Sequence, residues 1–315
     1  MNALREQARH ALHVYTARSG LTLPEIAQRV GYSPHSLRQF SSGARFGDGD
    51  GHVFAAGLMA WFHDNPLPTP RLPGKLYETH ATREMDALLQ FILEGGWGVL
   101  YGPSGAQKSF LLEYRWAEGA SGSQPRIVYI RCSAAGMTAN VLLRRIAAQI
   151  GAPFGQYTDG IRQSVLYAIS RRRDSVALVL DEADALYRWV ETLETLREIG
   201  DLARARPGHP GLGILVAGNE RVMQIFENRR GVSLEKWRGR IQQRELRVLG
   251  PSAEEAARIL REELPELKDE LLRKGVSENT VCDPISRKRY INMHRLFNTI
   301  RLTRRKFQGA VKGGF

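Results

Sequence analysis

Val176-Ala177-Leu178-Val179-Leu180-Asp181-Glu182-Ala183-Asp184, VALVLDEAD, is an apolar run that ends in an Asp-Glu pair. An uninterrupted apolar run of this length, bounded by polar residues, reads as a strand buried on both faces, as in a parallel sheet. Such a strand delivers its last residues to the carboxyl edge of the sheet, where open α/β folds hold ligands. The stretch is equally compatible with a strand that merely enters a polar loop, so its meaning depends on what else reaches that edge.

Upstream, Trp97-Gly98-Val99-Leu100-Tyr101 is a second apolar run, and it leads into GPSGAQKS, Gly102 to Ser109. A strand, a glycine loop and a helix opening on Lys-Ser is what triphosphate binding requires. Backbone N–H groups wrap the phosphates, the lysine supplies charge, the hydroxyl reaches Mg²⁺, and the helix N-terminus adds its dipole. Gly102, Gly105, Lys108 and Ser109 fill these roles, with Pro103, Ser104, Ala106 and Gln107 completing the loop. Gln107 stands where such loops carry glycine, and a side chain there obstructs the approach of backbone to phosphate. Taken together, the two motifs mark an ATP site, in which Asp181 completes the Mg²⁺ shell with Ser109 and Glu182 orients the attacking water.

Arg126–Arg131 and Leu212–Gly218 are further strand candidates, and Ala139–Ile150, Ile161–Arg172 and Val190–Ala205 have helical periodicity. Strands separated by helices of this length predict an α/β fold with a parallel sheet flanked by helices. Asn219 follows the fourth strand at the same edge, near the expected γ-phosphate. Arg238 and Arg240 suit reaching an adjacent subunit's phosphate, with surface charge or DNA contact as the alternative. From Ser252 onward the chain reads as helical, SAEEAARILREEL being a capped amphipathic helix.

Residues 1–62 read as short helices. Leu21–Arg45 has the layout of a helix-turn-helix: Pro24 in a first turn, Ile26, Ala27 and Val30 on one face, Gly31 as the stop, and Ser33-Pro34 opening the next helix. Leu37 and Phe40 face a core, which leaves His35, Ser36, Arg38 and Gln39 outward, where a recognition helix meets bases. The Gly-Tyr-Ser-Pro turn resembles repressor-type domains, and an ordinary helical hairpin is the alternative. Pro66, Pro68, Pro70 and Pro73 make residues 63–77 a semi-rigid linker. Residues 78–250 and 251–315 form the remaining two domains.

The 315-residue chain carries a formal charge of +12, which favours polyanionic partners through counterion release. No acidic residue occurs from Ile285 to Phe315, while aromatic and apolar residues interleave with nine basic ones, a pattern that predicts a folded basic helix and a nucleic-acid partner. Cys132 and Cys282 form no metal-binding spacing and read as buried thiols. No apolar stretch approaches the length of a membrane span, and no apolar segment opens the chain, so a cytoplasmic location is expected.

The order Lys108-Ser109, Asp181-Glu182, Asn219 and Arg240 resembles that of AAA+ ATPases, as Walker A, Walker B, sensor 1 and arginine finger. Leu178–Leu186, Leu193–Leu202 and Gly211–Glu220, joined to the N-terminal helix-turn-helix, resemble the transposition ATPases typified by phage Mu transposition protein B, with the TnsC and IstB types related. The resemblance implies a slow, partner-stimulated ATPase with ATP at the interfaces of a homo-oligomer. It further implies a filament or ring on duplex DNA in a bacterial or phage-infected cell, and recruitment of a transposase. It places a sensor 2 arginine near Arg295 and DNA contacts in Ser133–Arg145, including Arg144 and Arg145, and in Arg171, Arg172 and Arg173. A replicative-helicase loader and a transcriptional regulator with a nucleotide switch are the rival readings.

Overall fold

The computed structural model describes residues 2–19, 21–43, 50–65, 74–119, 126–133, 136–152, 157–204, 211–226, 235–241, 244–283 and 285–312. The four linker prolines, and Ala44-Arg45 of the helix-turn-helix stretch, lie outside them.

Four helices come first: α1 (Asn2–Ser19), α2 (Leu23–Val30), α3 (Pro34–Ser41) and α4 (Asp50–Asp64). They enclose a core that includes Leu12, Ile26, Ala27, Leu37, Phe40 and Leu58. Thr22 and Glu25 cap α2 reciprocally, Pro24 occupies its first turn, and Gly31 at φ 81° ends it. Ser33 Oγ then accepts from the Ser36 N–H at 3.0 Å and starts α3.

The central layer follows as α5 (His80–Leu93), β1 (Trp97–Tyr101), α6 (Lys108–Gly119), β2 (Ile127–Arg131), α7 (Ala139–Ile150), α8 (Thr158–Ser170), β3 (Val176–Asp181), α9 (Val190–Leu202), β4 (Leu212–Gly218), α10 (Arg221–Phe226), α11 (Glu235–Ile241) and β5 (Glu245–Arg247), with a 3-10 turn at Ala183–Arg188. The sheet runs β2-β3-β4-β1-β5 with every neighbouring pair parallel, so the α/β fold with helices on both faces is what forms. Alternation along β3 explains its unbroken apolar run. Leu178 and Leu180 pack with Leu142, Ile146 and Leu196 on one face, and Ala177 and Val179 pack with Leu88, Leu111 and Leu112 on the other. The edge strand β5 lies outside the four expected strands. In addition, α1 packs on α7, so the N-terminal helices touch the central layer directly.

The C-terminal module contains α12 (Ala253–Glu263), α13 (Asp269–Asn279), β6 (Thr280–Cys282), β7 (Arg289–Ile291) and α14 (Met293–Lys312). It corrects the all-helical expectation, because β6 and β7 form an antiparallel pair and Tyr290 and Ile291 belong to that hairpin. The basic helix therefore starts at Met293. Ser252 and Glu255 do form the expected capping box of α12. Tyr77, read as linker, is buried in this module's core with Ile259, Leu260 and Leu296. Cys132 is buried, but Cys282 is exposed, contrary to expectation. No helix among the described residues is long and apolar enough to cross a membrane.

Candidate nucleotide site

Because β4 lies between β1 and β3, the segments leaving the carboxyl ends of these three strands open side by side. They surround a cleft of about 1440 Å³ whose lining includes Lys108, Ser109, Asp181, Glu182, Asn219 and His294.

The glycine loop has the backbone that phosphate cradling needs. Gly102 (φ 149°) passes so close to the residue that follows β5 that an added Cβ would lie 2.0 Å from the Val248 carbonyl oxygen. Gln107 adopts φ 66°, the left-handed conformation that favours glycine. The loop thus keeps a glycine-type backbone despite the substitution. Lys108 Nζ folds back and donates to the carbonyls of Gly102 (2.8 Å) and Pro103 (2.9 Å). Burial holds this ammonium below the usual lysine range, against the opposing pull of Asp181, Glu220 and Asp184. The C-terminal module closes on the loop: Asn292 Nδ2 donates to the Ser104 carbonyl at 3.3 Å and the Met293 N–H to the Gly105 carbonyl at 3.1 Å.

At the end of β3, Asp181 is 1% exposed. Its Oδ2 accepts from Tyr129 OH at 2.7 Å and its Oδ1 from the Glu182 N–H at 2.9 Å. Burial, then the Asp181 charge, drives the Tyr129 hydroxyl far above the usual phenol range, so it remains a donor. Glu182, at φ 53°, pairs with Arg131 at 2.5 Å, and Arg145 Nη1 donates to the Arg131 carbonyl at 3.1 Å. Asn219 Nδ2 donates to Asp184 Oδ2 at 3.0 Å, while its Oδ1 accepts from the Arg221 N–H at 2.8 Å. The sequence reading did not single out Tyr129, Arg131 or Asp184. Parallel pairing of β2 with β3, which sets Arg131 opposite Asp181, is what brings Tyr129 and Arg131 to the two carboxylates.

Several other expected positions fall elsewhere. Arg240 pairs with Asp201 and lies over the Trp97 ring, 5.1 Å from its centre, at the amino edge of β1 and away from the loop. Arg238 on the same helix is exposed. Arg295 does not line the cleft, whereas its neighbour His294 does. Arg145, expected at DNA, is exposed and lines the cleft, and Arg144 is exposed on α7 with Nε donating to Asn140. Arg172 is 8% exposed, which corrects its assignment to a DNA surface; Arg171 and Arg173 beside it are exposed. All three precede β3 and so lie toward the edge of the sheet opposite the cleft. On α3, His35, Arg38 and Gln39 are exposed and Ser36 is half-buried.

Residues 92–226 match the family described as AAA domain. The matched span runs from the end of α5 through α10 and leaves both terminal modules outside it. Among solved structures the chain is similar to Cdc6p from Pyrobaculum aerophilum, at 17% identity over 76% of this chain and 65% of that one, with a TM-score of 0.51. It is also similar to the ORC1 protein of Aeropyrum pernix in complex with DNA (18% identity, 71% and 59% covered, TM-score 0.48). AMPPCP-bound DnaA from Aquifex aeolicus is a third (16% identity, 75% and 65% covered, TM-score 0.46). The chain spans less than two thirds of each of these structures. No curated protein sequence matches it.

Proposed function

We propose that this chain is an AAA ATPase that binds and hydrolyses ATP with Mg²⁺ in the cleft, assembles on DNA as a homo-oligomer, and recruits and activates a transposase. The observation that carries the nucleotide reading is the convergence of Lys108, Ser109, Asp181, Glu182 and Asn219 on one cleft at the carboxyl edge of the sheet. The lining fits a polyphosphate, since Arg145, Arg188 and Arg221 add cationic donors to those of the loop. Among the described residues no group of three or more His, Cys, Asp or Glu could cage a metal. Mg²⁺ fits this donor set, because it is typically held by one or two protein oxygens together with phosphates, here Asp181 and Ser109. Bound Mg²⁺ supplies charge neutralisation on the phosphates. Glu182 orients the attacking water, Asn219 reports the terminal phosphate, and exposed Arg238 or a released Arg240 acts on a neighbouring subunit.

The DNA part draws on the charge of +12 and on exposed Arg301, Arg304 and Arg305 of α14, with the outward face of α3 as a second surface. The transposase part draws on the motif order and the attached N-terminal helix pair. Electron microscopy of the full chain with duplex DNA, with and without ATP, tests the whole reading. ATP-dependent filaments or rings are expected, and ATP-independent binding as a monomer overturns it. Capture of a replicative helicase in place of a transposase redirects the partner assignment to helicase loading.

A further inference from the structure

The Gln107 side chain is an unusual object within the loop. It is 7% exposed, lines the cleft, and neither its Oε1 nor its Nε2 has a hydrogen-bond partner among the described residues. A primary amide buried in that way forfeits its bonds to water without replacement, which is unfavourable for the ligand-free chain. Four of the loop's carbonyls are already engaged. Lys108 takes the carbonyls of Gly102 and Pro103, Asn292 takes that of Ser104, and the Met293 N–H takes that of Gly105. A donor without an acceptor, in a loop otherwise furnished with donors, is complementary to an anionic ligand rich in acceptor oxygens. The positive φ of Gln107 is a second cost that an ordinary core position would not retain.

We propose that the Gln107 carboxamide is a ligand-contacting group, its Nε2 donating to a phosphate oxygen of the bound nucleotide. The proposal rests on the nucleotide reading of the cleft. It reverses the steric expectation for this position: the side chain contributes to the phosphate site in place of obstructing it. It also predicts opposite signs for stability and binding, because the unpaired amide disfavours the empty protein and is satisfied only when ligand is present.

The test measures two quantities on the full chain, the melting temperature without ligand and the affinity for Mg-ATP by titration calorimetry, for wild type, Gln107→Met and Gln107→Gly. Gln107→Met keeps the length of the side chain and removes its polar atoms. It is expected to melt higher than wild type when empty, and to bind Mg-ATP at least about ten-fold more weakly, the scale of a lost hydrogen bond to a charged group. Gln107→Gly is expected to bind more weakly than wild type as well. Equal affinity of wild type and Gln107→Met, or tighter binding by Gln107→Gly, overturns the proposal. If wild type and Gln107→Gly both fail to bind Mg-ATP, the nucleotide reading itself fails. That result is distinct from loss confined to the Met variant. Should Gln107→Met not fold, the wild-type and Gly affinities alone still decide the sign.

Discussion

Arg131 at the end of β2 and Glu182 just beyond β3 form an ion pair of 2.5 Å, and both line the cleft. The pair ties the carboxylate assigned to water activation to a strand that carries no other part of the assigned hydrolytic machinery. Its members retain 60% and 48% side-chain exposure, so it belongs with partly solvated pairs worth about 0.2–1 kcal/mol.

Releasing Glu182 from this restraint is therefore expected to change turnover more than stability. Arg131→Ala should raise basal ATP hydrolysis by up to about five-fold, the rate equivalent of about 1 kcal/mol, with little change in melting temperature. Phosphate release by the full chain measures this. A fall to the rate of Glu182→Gln would show that Arg131 contacts substrate and does not restrain the carboxylate.

A second ion pair joins two modules. Arg247 of β5 bonds Glu220 at 2.7 Å and Asp283 of the β6–β7 hairpin at 2.9 Å, with Asp283 only 1% exposed. Burial pushes the Asp283 carboxyl up, but hydrogen bonds from Ser286 and the Arg247 guanidinium prevail and hold it at about 2. A carboxyl depressed in the folded state stabilises fully above its ordinary 3.8 and loses that contribution as pH falls toward about 2. Arg247→Leu should cost on the order of 1–3 kcal/mol at neutral pH, because the buried carboxylate keeps its Ser286 bonds but loses its cation. In urea unfolding, the gap between variant and wild type should shrink as pH drops through that window. A gap independent of pH would locate the loss in packing.

The charge of α14 gives a third expectation. Arg301 and Arg305 are exposed on the helix, and if they neutralise DNA phosphates, each charge removed lowers the slope of log affinity against log salt by about one. Arg301→Gln with Arg305→Gln should weaken duplex binding similarly across unrelated sequences. Fluorescence anisotropy at several salt concentrations measures the slope. An unchanged slope would remove α14 from the DNA surface.

Sequence made β1, β3 and β4 legible because each is a continuous apolar run buried on both faces, and it made the glycine loop legible because its residues are contiguous. It left β5 out because Glu245-Leu246-Arg247 is three residues with charged ends, and only pairing with Val99–Tyr101 makes it a strand. The hairpin was hidden similarly: Thr280–Cys282 and Arg289–Ile291 are too short to show alternation, and the basic composition around Tyr290 fits a helix equally well. Within the site, local motifs marked Asp181 and Glu182, but their partners Tyr129 and Arg131 lie about fifty residues earlier and reach them only through strand register. Arg145 and Arg172 mark a different limit. Charge alone does not distinguish a DNA surface from a cleft wall or a buried guanidinium.

Gly105 and Asn292 supply the last prediction. Gly105 has φ 87°, and a Cβ added there would lie 2.6 Å from the Asn292 side chain, which itself donates to the Ser104 carbonyl. Gly105→Ala therefore carries two penalties, a strained backbone costing on the order of 1–3 kcal/mol and a clash with the closing C-terminal module. Asn292→Ala alone should cost about 1 kcal/mol through the lost hydrogen bond. Combined with Gly105→Ala it should recover the clash but leave the backbone strain, so the double variant should be more stable than the sum of the singles predicts. Urea unfolding of all four chains measures this coupling, expected between about 0.5 and 3 kcal/mol for residues in contact. Additivity within about 0.5 kcal/mol would show that Asn292 swings aside freely and that the module does not clamp the loop.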